Sequence, residues 1–166
     1  MELATILILL ILTVPAAYAS IIGAPTLPSI GPHVKEALEK AGVKKGVKFY
    51  ELGTGTGKVS ALALNMGADV TGYELSPIFY LVSFLRLKLT GRPFKLKFKN
   101  FLKDDMAGAD IIYLFLMPRT IESTKNRLLS EINPSAKVIS YAFPIPDWKI
   151  GSKIEAVNQP PIYIYN

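Results

Sequence analysis

The stretch Phe49-Tyr50-Glu51-Leu52-Gly53-Thr54-Gly55-Thr56-Gly57-Lys58-Val59 decides the fold. An apolar run over Val47 to Leu52, interrupted by the acid Glu51, breaks into glycines at every second position. A helix-type pattern follows from Lys58 to about Met66. Strand, tight turn and helix start, in that order, is the layout by which α/β proteins bring backbone against a ligand. Glycine allows the positive φ such a turn visits and keeps side chains out of the ligand's way. The helix that follows points its unpaired N–H groups into the same crevice.

Spacing separates the ligand classes. A dinucleotide fingerprint reads G-x-G-x-x-G, whereas Gly53, Gly55 and Gly57 here read G-x-G-x-G. Lys58 follows the last glycine, but the four-residue spacer of a P-loop, G-x-x-x-x-G-K, is missing. An acid two residues before G-x-G-x-G resembles the S-adenosylmethionine (SAM) site of seven-strand methyltransferases. The resemblance implies that Glu51 faces the cofactor's methionine ammonium end and that Gly53, Thr54, Gly55 and Gly57 pass beneath its ribose and methionine. Downstream, Asp69 to Leu75 reads as a second strand containing Glu74, an acid placed to accept both ribose hydroxyls of a nucleoside.

The chain has 166 residues, enough for one domain with a real core. A net charge of +6 suits contact with an anionic surface without identifying it. With no cysteine, disulfides, thiol catalysis and Cys-based zinc sites are excluded, and the single histidine, His33, rules out a multi-histidine metal centre. His33 reads as a helix cap or surface residue.

Residues 3–22 carry no charge, the length of a bilayer span. Ala17-Tyr18-Ala19 resembles a signal-peptidase site, but the segment before the apolar run holds Glu2 and no Lys or Arg. A retained anchor is therefore expected. The lysines that follow from Lys35 to Lys48 place the remainder on the cytoplasmic side, as a single-pass membrane protein. The expected organisation is an anchor over 1–22, a Pro-rich segment over 23–32 and a catalytic domain over 33–166.

Beyond the glycine turn the pattern alternates. Ser76-Pro77 caps a helix carrying Phe79, Leu81, Val82, Leu85 and Leu89. Lys95, Lys97 and Lys99 alternate with Leu96 and Phe98, the pattern of an edge strand guarded by lysines rather than a nucleic-acid stripe. Asn100-Phe101 closes that strand, where SAM sites usually present a polar residue to the adenine amine. Ala109 to Leu116 is a continuous apolar run, hence a central strand. A helix from Thr120 to about Ile132 and a strand over Lys137 to Phe143 follow. Two short strands, Ser152 to Val157 and Ile162 to Tyr165, suggest a closing hairpin around Asn158 to Pro161.

The order of motifs resembles the small membrane-anchored lysine methyltransferases whose eukaryotic members modify the adenine nucleotide translocase and the ATP synthase c-subunit. Gly23-Ala24-Pro25-Thr26-Leu27-Pro28, Glu51 to Gly57, Gly72 to Pro77, Asn100-Phe101-Leu102 and Phe143-Pro144-Ile145-Pro146-Asp147-Trp148 carry the likeness. It implies a doubly wound, mostly parallel seven-stranded sheet of the class I methyltransferase (Rossmann-like) type, preceded by one transmembrane helix. It also implies SAM as cofactor, bound by Glu51, Gly53, Thr54, Gly55, Gly57, Glu74, Asn100 and Phe101, and no metal. The substrate is then a protein lysine, expected on a membrane protein, with no nucleic-acid partner. Phe143, Asp147 and Trp148 are the expected substrate-channel residues. A non-catalytic SAM-binding module and a methyltransferase acting on a lipid or small molecule are the alternatives in other classes. The family usually has Asp where this chain has Asn100, and Glu51 replaces the commoner Asp.

Overall fold

The computed structural model of the protein describes residues 5–6 and 31–166. The expected anchor and nearly all of the Pro-rich segment lie outside the described residues. Among the described residues no helix is long and apolar enough to cross a membrane.

Helix α1 (Pro32–Ala41) leads into β1 (Lys48–Leu52), α2 (Lys58–Asn65), β2 (Asp69–Glu74), α3 (Pro77–Lys88) and β3 (Lys95–Phe98). A single 3₁₀ turn (Phe101–Lys103) precedes β4 (Ile111–Leu114), α4 (Pro118–Glu131) and β5 (Lys137–Tyr141). The hairpin β6 (Ser152–Ala156) and β7 (Gln159–Tyr165) ends the chain. The strands form one seven-stranded sheet in the order β3-β2-β1-β4-β5-β7-β6, with β3 at an edge as its lysines suggest. β1 pairs parallel with β2 and β4, and β7 runs antiparallel to β5 and to β6, so β7 alone is reversed. The chain moves outward from β1 to β3 and returns to β4 on β1's other side. That reversal leaves a crevice beyond the carboxyl ends of β1 and β4, where ligands bind in open α/β sheets.

Alternation along the strands feeds two cores. Phe49, Val70, Ile111, Tyr113 and Ile139 pack beneath α1, α2 and α3, through Val34, Leu38, Val59, Leu64 and Leu87. Leu52, Tyr73, Ile112, Leu114 and Val138 face the other way, against Ile121 and Leu128 of α4 and against Met106 and Ile145 of the loops. On that second face the β3–β4 connection has only its 3₁₀ turn and the β5–β6 connection has no helix.

Several element ends differ from the sequence reading, and two of them have a clear local cause. β5 stops at Tyr141 because Ala142 turns to φ 68, so Phe143 leaves the sheet. β7 begins at Gln159 and includes Pro160 and Pro161, with Asn158 turning at φ 58. Prolines are tolerated in this inner strand because they lie beyond the paired end of β5, opposite a bulge between Ile154 and Ala156.

Gly57 joins the glycine turn to the helical layer. It sits at φ 76, and a Cβ there would lie 2.9 Å from the Ser83 Cβ and 3.0 Å from its Cα, on α3. Gly57→Ala combines left-handed strain with overpacking, so a loss of roughly 2–4 kcal/mol in urea unfolding is expected. A loss within experimental error would show that α2 and α3 are not held together there.

Candidate cofactor and transfer site

Local bonding explains how the glycine turn holds its shape. The Gly53 and Thr54 N–H groups both donate to the Tyr73 carbonyl, at 3.0 and 2.8 Å, tying the turn to the end of β2. Gly53, Gly55 and Gly57 all take positive φ (84, 54 and 76°). Gly72 is needed next door, because a Cβ on it would meet the Thr54 Oγ1 at 2.5 Å. A Cβ on Gly55, by contrast, would meet nothing within 4 Å, so open space lies above the turn.

Two buried acids flank that space. Helix α2 starts at Gly57, which offers no side-chain cap. Glu51 supplies the missing acceptor from β1: its Oε2 takes the Ser60 N–H at 2.9 Å and the Ser60 hydroxyl in a short bond. Glu74 closes β2 and accepts from the Gly55 N–H through Oε2 (2.7 Å). Its Oε1 accepts from the Leu75 and Ser76 N–H groups, at 2.8 and 2.7 Å. Neither acid forms a salt bridge among the described residues, and both are less than a tenth exposed. Burial pushes the Glu51 carboxyl up to about 8, against the lowering effect of the Ser60 bonds, and Glu74 adds a small further push. Burial likewise raises Glu74, opposed by its three backbone donors.

This arrangement selects among ligands. A dinucleotide's pyrophosphate would need the N–H groups of the turn and helix start. Here the Gly55 and Ser60 N–H groups already bond carboxylates, and a phosphate would face two buried acids. A ligand carrying positive charge and hydroxyl donors relieves the same acids. SAM fits on both counts, with an ammonium and a sulfonium to offset charge and a ribose diol to donate. Among the described residues the Glu51 Oε1 takes no hydrogen bond, which leaves it for the ammonium. Glu74 stands at the end of β2, where a ribose would lie.

A model of the ANTKMT methyltransferase domain matches residues 51–152, most of the chain and all of this cleft. The chain belongs to that family. Its methyl donor is accordingly S-adenosylmethionine. A protein-lysine N-methyltransferase of Saccharolobus islandicus is 27% identical over 151 residues, covering 85% of this chain and 92% of that one. The ATP synthase c-subunit lysine N-methyltransferase of Xenopus laevis is 25% identical over 126 residues, covering 75% of this chain. The adenine nucleotide translocase lysine N-methyltransferase of Mus musculus is 26% identical over 130 residues, covering 74% of this chain. The chain spans about half the length of these two animal relatives (55% and 56%). Among solved structures, an RNA methyltransferase from Salinibacter ruber in complex with S-adenosyl-L-homocysteine superposes with a TM-score of 0.79. It is 22% identical and covers 84% of this chain and 92% of its own, a likeness of fold.

The remaining expected site residues divide. Asn100 stands just past β3, but its Oδ1 caps the 3₁₀ turn by accepting from the Leu102 N–H at 2.9 Å. The Phe101 ring is buried in the second core, which leaves its backbone, not its ring, for adenine. Phe143 stays beside the carboxyl end of β5, half-buried against both cores. Asp147 and Trp148 do not join the cleft. Asp147, with its side chain 86% exposed, pairs with Lys125 on α4 at 2.9 Å. Trp148 packs edge-on against Tyr165, 5.7 Å between centroids. Both line a groove of about 600 Å³ with Asn133, Ala136 and Val138, around the start of β5 and so at the opposite end of the sheet. The β5–β6 loop runs back across the second face beside α4, and the Tyr165 hydroxyl fastens it by accepting from the Ile145 N–H at 2.7 Å.

Three residues of the site region carry no sequence signal of their place in it. Ser60 reads only as part of a helix, although a glycine-capped helix preceded by a strand acid needs such a donor pair. His33 is buried rather than superficial, its ring 5.9 Å from that of Tyr141, and its Nε2 has no hydrogen-bond partner among the described residues. Tyr141 in turn packs edge-on against Phe115 at 4.8 Å, giving an aromatic wall at the carboxyl ends of β4 and β5. No motif marks this cluster, because its members come from α1, β5 and the segment after β4.

Glu51 binds its proton more tightly in the folded protein than in the unfolded chain, where its pKa is near 4.5. Between that value and about 8 the unfolded state therefore carries fewer protons, and the ligand-free protein loses stability as pH rises through this window. A bound ammonium favours the carboxylate, so SAM affinity rises with pH from 6 to 8, by up to about tenfold per unit. Calorimetric titration across that range is expected to show the rise in the native chain and a flat profile in Glu51→Gln. Asp147→Ala, which removes an exposed carboxylate remote from the cleft, is expected to leave methyl transfer within a few-fold of the native rate.

Proposed function

We propose that this chain is a protein-lysine N-methyltransferase held at a membrane by residues 3–22, with its catalytic domain on the cytoplasmic side and a membrane protein as substrate. The two uncompensated acids at the glycine turn carry the enzymatic part of this reading, since they suit a cationic methyl donor. The names of the relatives support lysine as the acceptor. The uncharged segment and the two animal relatives' stated targets support the membrane setting.

SAM supplies an electrophilic methyl group on a sulfonium. With SAM bound, the lysine nitrogen's lone pair would attack that carbon in line, the carbon–sulfur bond would break with its electrons going to sulfur, and the amine would lose a proton. What the protein adds is positioning and a setting that keeps the amine neutral. Glu51 and Glu74 would hold the donor's two ends. The Phe115, Tyr141 and Phe143 rings form an apolar wall at the neighbouring strand ends, where a charged ammonium is disfavoured.

Gly55→Arg fills the open space above the turn while leaving the buried packing alone. The full chain in detergent is expected to bind SAM and the variant to lose measurable binding. With methyl-labelled SAM and isolated membranes, label is expected in protein and, after hydrolysis, in methylated lysine. Label confined to the lipid extract, or binding without transfer to any fraction, would overturn the proposal.

A further inference from the structure

Helix α3 is built the wrong way out for a helix on a soluble domain. Ser83 and Leu87 are its buried positions, while Ile78, Leu81, Leu85 and Leu89 recur at helical spacing on the face turned away from the sheet. Leu81 and Leu85 are 57% and 53% exposed, Leu89 at the helix's end is 88% exposed, and Val82 flanks them. Scattered exposed leucines are ordinary, but a continuous stripe along three turns marks a contact surface.

The charges beside the stripe identify its partner. Lys88 lies on the same exposed face, Arg92 follows in the next turn, and no acid occurs anywhere from Leu75 to Lys103. Lys97 of β3 and Lys99 just past it are engaged by Asp104, at 2.5 and 2.9 Å. Lys88 and Arg92, with the partly buried Arg86, put positive charge at the carboxyl end of the apolar face. An apolar stripe with a cationic end is how an interfacial helix meets an anionic bilayer.

We propose that the outward face of α3 lies on an anionic lipid surface, with Ile78, Leu81, Leu85 and Leu89 at the acyl boundary and Lys88 and Arg92 among the headgroups. Reach supports it, a point that rests on the anchored reading above. Residues 23–31 between the uncharged segment and α1 extend roughly 30 Å at most, and α1 and α3 share one helical layer. The contact has a use. Ile78 comes four residues after Glu74, so a bilayer under α3 brings the cofactor cleft within about one short helix length, roughly 18 Å, of the headgroups. A lysine near the membrane surface of a substrate protein then meets the site without leaving its membrane.

The absence of cysteine makes the test direct. Leu85→Cys in the full chain, labelled with an environment-sensitive fluorophore, is compared in phosphatidylcholine vesicles with and without phosphatidylglycerol. A blue shift and quenching by lipid-borne nitroxide are expected in the anionic vesicles. Both should weaken without phosphatidylglycerol and in the added presence of Lys88→Gln and Arg92→Gln. A probe at Val157→Cys, in the β6–β7 turn, should stay in water, and thermal melts check that each variant folds. The proposal falls if the Leu85 probe remains aqueous on anionic vesicles. It falls equally if the probe is already shielded without lipid, whether by a second copy (shielding that grows with protein concentration) or within the chain (shielding that does not). A separate probe at Leu10→Cys reports on residues 3–22, so failure of the anchor and failure of the α3 contact are told apart.

Discussion

The cleft depends on a carboxylate bonded to backbone at each side of one turn. Glu51 caps a helix that its own glycine cap cannot serve, and Glu74 holds the Gly55 N–H in the middle of the turn. Burying two acids without a cation is costly, and both carboxyls respond by holding their protons more tightly than an ordinary carboxylate does. The surrounding bonds keep the arrangement in place: the Tyr73 carbonyl takes two N–H groups of the turn, and Gly72 clears room for Thr54. Backbone bonds thus fix the cleft's shape, and a cationic ligand would favour the ionised form of both acids.

The same economy shows in how little covers the sheet. Among the described residues three helices shield one face and only α4 the other, so loops complete the second core. The β5–β6 loop brings Ile145 and Trp148 down onto Tyr165, and Arg127 of α4 donates to the Asp104 carbonyl at 2.8 Å, tying the helix to the turn after β3. Asp104 also collects Lys97 and Lys99, which holds its own carboxyl well below the ordinary range. The Phe-Pro-Ile-Pro-Asp-Trp motif therefore divides its work. Phe143 remains by the strand ends, while Trp148 packs beneath α4.

Charge and hydrophobicity are segregated over the domain. The cleft is acidic, the α3 face is apolar with a basic end, and the edge-strand lysines largely turn inward to Asp104. These features sit on separate parts of the sheet.

Much of this was legible in the chain. The period of two along the strands, the glycines at every second position after Glu51, and the acid at the end of β2 are local patterns, because strand alternation and positive-φ turns are imposed on the residues that adopt them. They determined the doubly wound sheet, the reversed final strand and the pair of acids. Tertiary structure alone decided which distant side chains complete the pattern. Ser60 became Glu51's partner because α2 docks against β1, and His33 was buried because α1 lies over Tyr141. Asp147 was carried away from the cleft by a loop that crosses the second face to reach α4. Such contacts join residues far apart in sequence, and no local propensity records them.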